Sequence, residues 1–230
     1  MAWKTRNDVT PEQVRTGKVA DMIGFQEIKC HVIFDVKMDF TRKARFVAGG
    51  HLTEAPGSIT YSSVVSRDSI RLAFLVAGLN DLDVLAGDVS NAYLNALCRE
   101  KIWFEGQLET GEDRGKVLII TRALYGLKSS GAALRANLAA TLRDLHFSST
   151  QADPDVWIRN AVTHFEMILV YVDDILIFSK DPRVIMNQLG EFYELKSESV
   201  KEPDLYLGAN IEKIQVKDGG PFMECQAEHM

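Results

Sequence analysis

Residues 167–178 read MILVYVDDILIF, which sets two adjacent carboxylates, Asp173 and Asp174, between two unbroken apolar runs. An unpaired carboxylate against buried strands costs on the order of several kcal/mol. The pair therefore belongs at an exposed tip or around a cation, and a divalent metal is the usual relief for two carboxylates that repel. Met167–Val172 and Ile175–Phe178 have strand length, and the two residues between them have the spacing of a tight hairpin. Asp tolerates that turn, although Asn-Gly would suit it better. Asp88 is a third carboxylate of interest, because it closes the apolar stretch Val84-Leu85-Ala86. Asp88, Asp173 and Asp174 suit two Mg²⁺ ions, with Mn²⁺ as a substitute, because Mg²⁺ takes a few carboxylates plus water and substrate phosphates. Two such ions about 4 Å apart activate a 3′-hydroxyl and stabilise a leaving pyrophosphate. In such phosphoryl transfer the protein mainly positions groups and offsets charge. On this segment alone, a solvent-exposed Asp-Asp turn remains the alternative.

The elements that must hold these residues alternate between strand and helix patterns. Residues 1–24 are a polar lead-in with one short helix expected after Thr10-Pro11. From Ile28 the chain alternates, with Ile28, Cys30, Val32, Phe34 and Val36 on the expected buried face. A turn near Asp39–Thr41 leads to Phe46-Val47-Ala48, giving a β-hairpin whose tip carries Lys37, Arg42, Lys43 and Arg45. Residues 51–62 form a loop, after which Ser66 caps a helix striped by Ile70, Phe74 and Ala77, with Asp68 in its first turn. A second helix is expected from Ser90 to Leu97, and strands at Ile102–Phe104 and Val117–Ile120. Ser129 and Ser130 open a long helix striped by Leu134, Leu138, Leu142 and Leu145. A later helix is marked by Ile185, Leu189 and Phe192, and a last strand by Leu205, Leu207, Ala209 and Ile211. Strands and helices mix without regular βαβ alternation, which favours an α+β fold.

The 230 residues suffice for one large domain or two small ones. An apolar share of 46% and a charged share of 25% are those of an ordinary globular protein. No apolar run approaches 18 residues and no signal peptide opens the chain, so no membrane partner is expected. Cys30, Cys98 and Cys225 are odd in number and lack C-x-x-C spacing, which fits a reducing intracellular setting. Cys225 and His229 amount to half a zinc site without a second pair. The net charge of −6 argues mildly against a nucleic-acid partner, but it is unevenly spread. Residues 1–75 carry a net +3 and residues 76–230 a net −9, a division that suits gripping an anion with one part and a metal with the other.

Several motifs resemble one family in a common order. Tyr171-Val172-Asp173-Asp174 resembles the Y-x-D-D signature of reverse transcriptases. Asp88-Val89-Ser90-Asn91-Ala92-Tyr93-Leu94-Asn95 is similar to the first metal-binding motif of copia-type LTR retrotransposon polymerases, and Arg42–Ala48 to their fingers segment. Ser63–Ser66, Ala123–Ser130 and Ala152–Asp155 continue the match, which spans about residues 25–215. The resemblance implies a right-hand polymerase reduced to fingers and palm, with an antiparallel palm sheet backed by helices and a thumb missing. Residues 216–230 remain as a tail. It implies that Asp88, Asp173 and Asp174 are catalytic and hold the metals, with Val89 adding a backbone carbonyl. Lys43 and Arg45 would meet the triphosphate, Tyr93 would select the deoxyribose, and Gly126 would approach the nucleotide. Lys128, Tyr171, Leu207 and Gly208 would serve the primer or template.

The implied partners are an RNA or DNA template with its primer and deoxynucleoside triphosphates, with a thumb or ribonuclease H region supplied by a longer polyprotein. The implied setting is the cytoplasm, a virus-like particle or the nucleus. Two departures stand out. Gly131 and Leu134 replace the Pro and Trp found in many relatives, and no thumb or acidic ribonuclease H cluster follows Ile214. Two rival readings follow: a silent fragment that only binds nucleic acid or a protein, and a metal-dependent nuclease, which would need neither Tyr93 nor the basic hairpin.

Overall fold

The computed structural model describes residues 2–37, 40–57, 59–207, 209–215 and 221–227, with side chains described as far as Glu212. Gly208, Asp39 and His229 lie outside the described residues, as does the side chain of Cys225. The chain opens with β1 (Trp3–Arg6), α1 (Pro11–Arg15), β2 (Gln26–Glu27), β3 (Cys30–Val36), β4 (Arg42–Ala48) and α2 (Arg67–Leu79). Next come β5 (Asp83–Asp88), β6 (Ile102–Glu105), β7 (Val117–Ile120) and α3 (Ser130–Asp144). They are followed by β8 (Ser148–Ser149), β9 (Val156–Asn160), β10 (Phe165–Tyr171), β11 (Asp174–Ser179) and α4 (Pro182–Gly190). Last are β12 (Leu205–Tyr206), β13 (Ala209–Gln215) and β14 (Pro221–Ala227). The pairings are antiparallel except β2 with β6, so the mixed α+β expectation holds. Among the described residues no helix is long and apolar enough to cross a membrane.

Two compact units divide the chain, each built from separated segments. The first comprises Met1–Ser62 and Asn91–Asn137. Its sheet runs β1-β7-β6-β2, and Ile102, Phe104, Leu118 and Ile120 bury one face with Ile28, Cys30 and Ala48. The lead-in is more than polar linker. Trp3 on β1 packs edge-on against Phe104 with ring centroids 5.7 Å apart, and Met22 is buried with Trp103 and Val117. Thr10 caps α1 in a reciprocal capping box with Gln13, as Thr10-Pro11 foretells. The β3–β4 hairpin pairs Cys30 with Ala48 through to Val36 with Arg42. Its apolar face is buried only near the base, for Phe34 is 81% exposed. Alternation reports a strand but not how far its neighbours extend along it. The helix expected from Ser90 is instead a 3₁₀ turn, Ala92–Asn95, entered through Asn91 in a left-handed conformation. Two residues on, Leu97 already bridges Arg122.

The second unit, Ser63–Ser90 with Leu138–Met230, is built on an antiparallel sheet ordered β5-β11-β10-β9-β8. Its register stacks side chains in rows. Met167, Phe178 and Val84 stand side by side, and Leu169, Leu176 and Ala86 form the next row. Both rows pack with Ile70, Ala73, Phe74 and Ala77 of α2. The other face carries Ile175 and Ile177 of β11 and is covered by α4, whose Met186 Sδ sits 2.9 Å from where a Cβ on Gly87 would lie. Cover on both faces explains why the two central strands read as continuous apolar runs. α4 stops at Gly190, so Phe192 lies beyond the helix and is half exposed. The last strand expected at 205–211 is two strands. Leu207 takes a positive φ of 48° between β12 and β13, and Tyr206 rather than Leu205 is the buried residue.

The start of α2 is fastened by the Asp153-Pro154-Asp155 segment. Ser66 caps the helix by accepting from the Ser69 N–H at 3.1 Å. Asp153 Oδ2 accepts the Ser66 N–H at 2.9 Å and the Ser69 hydroxyl at 2.7 Å, and Ser63 donates to Asp155. Both carboxylates are buried, so each donor lost leaves an uncompensated charge or amide. Asp153→Ala should cost about 3 kcal/mol of unfolding free energy, by loss of two charge-assisted bonds, measurable by urea denaturation.

Candidate active site

The rows of the second sheet end in a third row, which brings the candidate carboxylates Asp88 and Asp174 together. Tyr171 pairs with Asp174, and Asp174 pairs with Asp88, directly continuing Leu169–Leu176–Ala86. Facing Cβ atoms in such a ladder lie about 5 Å apart, so two carboxylates confront each other at the end of an apolar column. The β10–β11 hairpin turns on Val172 and Asp173, one residue earlier than the apolar runs suggest, and Asp174 belongs to the ladder. Val172 carries a φ of 59°, at the position where a type II′ turn favours Gly. A β-branched residue held there stores on the order of 1–3 kcal/mol. The Val89 N–H donates to the Asp173 carbonyl at 2.9 Å, tying the end of β5 to the turn.

Asp174 is half-buried, and its carboxyl is pushed up from the ordinary 3.8 to about 6. Burial is the main cause, the neighbouring charges of Asp173 and Asp88 add to it, and Lys196 partly offsets it. Asp88 has its Oδ2 in an ion pair with the Lys196 ammonium, while its Oδ1 is buried without a hydrogen-bond partner. The Tyr206 hydroxyl is likewise buried and without a partner, and this burial, with the charge of Asp174 adding to it, holds its proton on. Among the described residues, no three His, Cys, Asp or Glu side chains converge closely enough to cage a metal unaided. Mg²⁺ asks for less, since it takes one or two carboxylates and fills the rest of its shell with water and phosphate oxygens. The all-oxygen donor set here, with an orphaned Oδ1, fits a hard cation.

The residues expected to meet the nucleotide belong to the first unit. Arg45 lies 3.8 Å from Asp35 and 5.8 Å above the Tyr125 ring, and Tyr125 meets Tyr93 edge to face at 4.7 Å. Arg45 and Tyr93 thus join one cluster through Tyr125. Lys43 lies two residues nearer the hairpin tip, paired in register with Asp35. Gly126 has a φ of 90°, and a Cβ there would lie 2.0 Å from the Ala48 carbonyl oxygen. Close passage of β4 therefore accounts for this glycine. Lys128 donates to the Thr53 carbonyl. Leu207 follows β12 at its turn. Sequence patterns did not single out Lys196 or Ser199, because their contacts with Asp88 arise between residues 108 and 111 positions apart.

A family model described as reverse transcriptase (RNA-dependent DNA polymerase) matches residues 14–224. The chain belongs to the reverse transcriptase family. It is 32% identical over 181 residues to the retrovirus-related Pol polyprotein from transposon TNT 1-94 of Nicotiana tabacum, a match covering 73% of this chain and 13% of that protein. It is 28% identical over 207 residues to the transposon Ty1-LR2 Gag-Pol polyprotein of Saccharomyces cerevisiae, covering 86% of this chain and 11% of that one. These relatives place it among copia-type retrotransposon reverse transcriptases, as its motifs suggest. The chain spans only a small part of either polyprotein. A solved foamy viral protease–reverse transcriptase in complex with double-stranded DNA aligns with 80% of this chain and 29% of its own, with a TM-score of 0.46 and 16% identity.

The raised Asp174 carboxyl of this reverse transcriptase domain has a definite sign in stability. Between pH 4 and 6 the folded chain retains a proton that the unfolded chain has released, so unfolding free energy falls as pH rises through that window and levels off above it. Thermal melts in metal-free buffer should show this fall, and Asp174→Asn should flatten it.

Proposed function

We propose that this reverse transcriptase domain adds deoxynucleotides to the 3′ end of a primer paired with an RNA or DNA template, using two divalent metal ions. The observation that carries the reading is the end row of the sheet, where Asp88 and Asp174 face each other in register beside Asp173 at the turn. Structural carboxylates are normally kept apart or paired with donors, whereas this arrangement places like charges opposite one another. Bound Mg²⁺ would lower the pKa of the primer hydroxyl and balance charge on the triphosphate. Asp88 and Asp173 would hold the ions most directly with the Val89 carbonyl, and Asp174 would complete the negative field. The β5–β11 ladder fixes their spacing before any substrate arrives.

In this reading Lys43 and Arg45 bind the triphosphate, with Arg45 oriented by the Tyr125 ring beneath it. Tyr93, braced edge-on by Tyr125, lies under the sugar and leaves no room for a 2′-hydroxyl. Tyr171, Leu207, Gly208 and Lys128 support primer and template, and a thumb comes from elsewhere in a longer polyprotein. Fingers and palm correspond to residues 25–215.

Primer extension on RNA and DNA templates with Mg²⁺ tests the proposal. Extension should occur with the unaltered chain and drop to background in Asp173→Asn. A folded chain that binds metal and primer–template yet never extends would sink it. Tyr93→Ala should raise ribonucleotide incorporation roughly 10- to 200-fold, the discrimination that a steric pocket wall supplies. Sequencing gels with mixed nucleotides would read this, and unchanged discrimination would remove Tyr93 from the sugar site.

A further inference from the structure

We propose that Lys196 is the resident counter-ion of Asp88 in the metal-free enzyme, and that a divalent cation binds by displacing its ammonium group. The inference rests on the metal-binding reading of the carboxylate row, and it concerns a residue to which that reading gives no role. Three carboxylates gather at the end of the sheet. Among the described residues, the ion pair that the row makes is the one between Lys196 Nζ and Asp88 Oδ2. Asp88 Oδ1 stays buried and unbonded, so Oδ2 is the oxygen of this carboxylate that is engaged, and Lys196 holds it.

The surrounding backbone holds Lys196 in position. The Lys196 N–H donates to the Asp88 carbonyl at 3.0 Å, and the Ser90 N–H donates to the Glu194 carbonyl at 2.7 Å. The Ser199 hydroxyl accepts the Asp88 N–H at 2.9 Å and donates to the Lys196 carbonyl at 2.7 Å. Residues 194–196 therefore run antiparallel along the end of β5, with Leu195 bridging Val89, before a 3₁₀ turn at Ser197–Ser199. With its peptide pinned on both sides, Lys196 can leave Asp88 only by rotating its own side chain. A lysine suits such a handover, because its ammonium is a point charge on a flexible four-carbon stem and forms no bidentate fork.

Metal and ammonium compete for the same Oδ2 lone pairs, and their like charges exclude sharing. Pairing with Lys196 thus offsets part of the row's negative charge before metal binds, at the cost of weaker metal binding. It also makes metal affinity depend on a residue that need not be a ligand itself.

Mn²⁺ titration of the full chain, followed by electron paramagnetic resonance without nucleic acid, tests this. Lys196→Met should bind Mn²⁺ about fivefold or more tightly than the unaltered chain, the effect of one unit charge about 4 Å away even with water-like screening. Adding Asp88→Asn should erase that gain. Independently, ζ-¹⁵N-lysine labelling of the unaltered chain should show the Lys196 signal, assigned by its loss in the variant, moving with Mg²⁺ at the midpoint of metal binding. Equal or weaker Mn²⁺ binding in a folded Lys196→Met chain, or a Lys196 signal that stays still while metal binds through Asp88, would overturn the inference alone. Absence of Mn²⁺ binding in every chain would overturn the metal reading and this inference together.

Discussion

The second unit is organised around a repulsion. Asp88 and Asp174 face each other across an antiparallel pair, with Asp173 one residue away, at the point where two rows of apolar side chains end. The other inward-facing carboxylates of this unit are treated differently. Glu166 is held by Arg159 at 2.7 Å and by the Ser179 hydroxyl at 2.9 Å, while Asp153 collects the donors at the start of α2. Those groups are satisfied and structural. The Asp88–Asp174 pair shares one described ammonium and keeps an oxygen unbonded, so the fold is maintained against it by the packing beneath. Residues α2 and α4 bury on opposite faces of the sheet, from Phe74 to Ile185, are what hold the repelling groups in register.

That register explains the strained turn. A slip of one residue between β10 and β11 would send Leu176 and Phe178 to the opposite face and take Asp174 out of line with Asp88. On an ordinary half-buried strand, polar alternation would forbid the slip. Here both faces are apolar, so hydrophobicity hardly distinguishes the two registers. The tight turn at Val172-Asp173 makes the distinction, with Val172 forced to a φ of 59°. A glycine would relax this backbone, but it would also free the hairpin to sample other geometries in the unfolded chain. The cost of on the order of 1–3 kcal/mol is small beside the burial of four consecutive side chains, Ile175–Phe178, none of which is measurably exposed.

The same feature marks what the sequence could and could not disclose. Ser66 and its stripe of Ile70, Phe74 and Ala77 were readable because cap and period are local signals. The strands around Asp88 and Asp173 were readable as apolar runs, and three carboxylates among such runs were readable as chemistry. The exact turn was not, because an unbroken run carries no parity. Phe34 and Val36 were misjudged because a hairpin that outruns its neighbours alternates just as a buried one does. Tyr206 and Leu207 exchanged roles because the split of 205–211 into two strands depends on a left-handed Leu207 that no propensity favours. Lys196 was invisible for a further reason. Its meaning lies in a contact across 108 residues, and in sequence it is one more lysine beside a serine and two glutamates.

Charge sets the remaining constraint. Residues 76–230 carry a net −9, and the carboxylate row lies within them. Under the proposed function, a polyanionic template and a triphosphate would be repelled by such a chain at long range, so attraction would have to come from cations at short range. The first unit supplies Arg42, Lys43 and Arg45 on one hairpin strand, with Arg45 seated over Tyr125 rather than spent in a close ion pair. Among the described residues, the second unit has no comparable strand of basic residues. What it offers instead is concentrated negative charge, which is of use to an anionic substrate only after divalent cations have reversed its local sign. Under the proposed metal-dependent function, such a site would repel its substrate until metal binds, and the Lys196 ammonium moderates that field without reversing it.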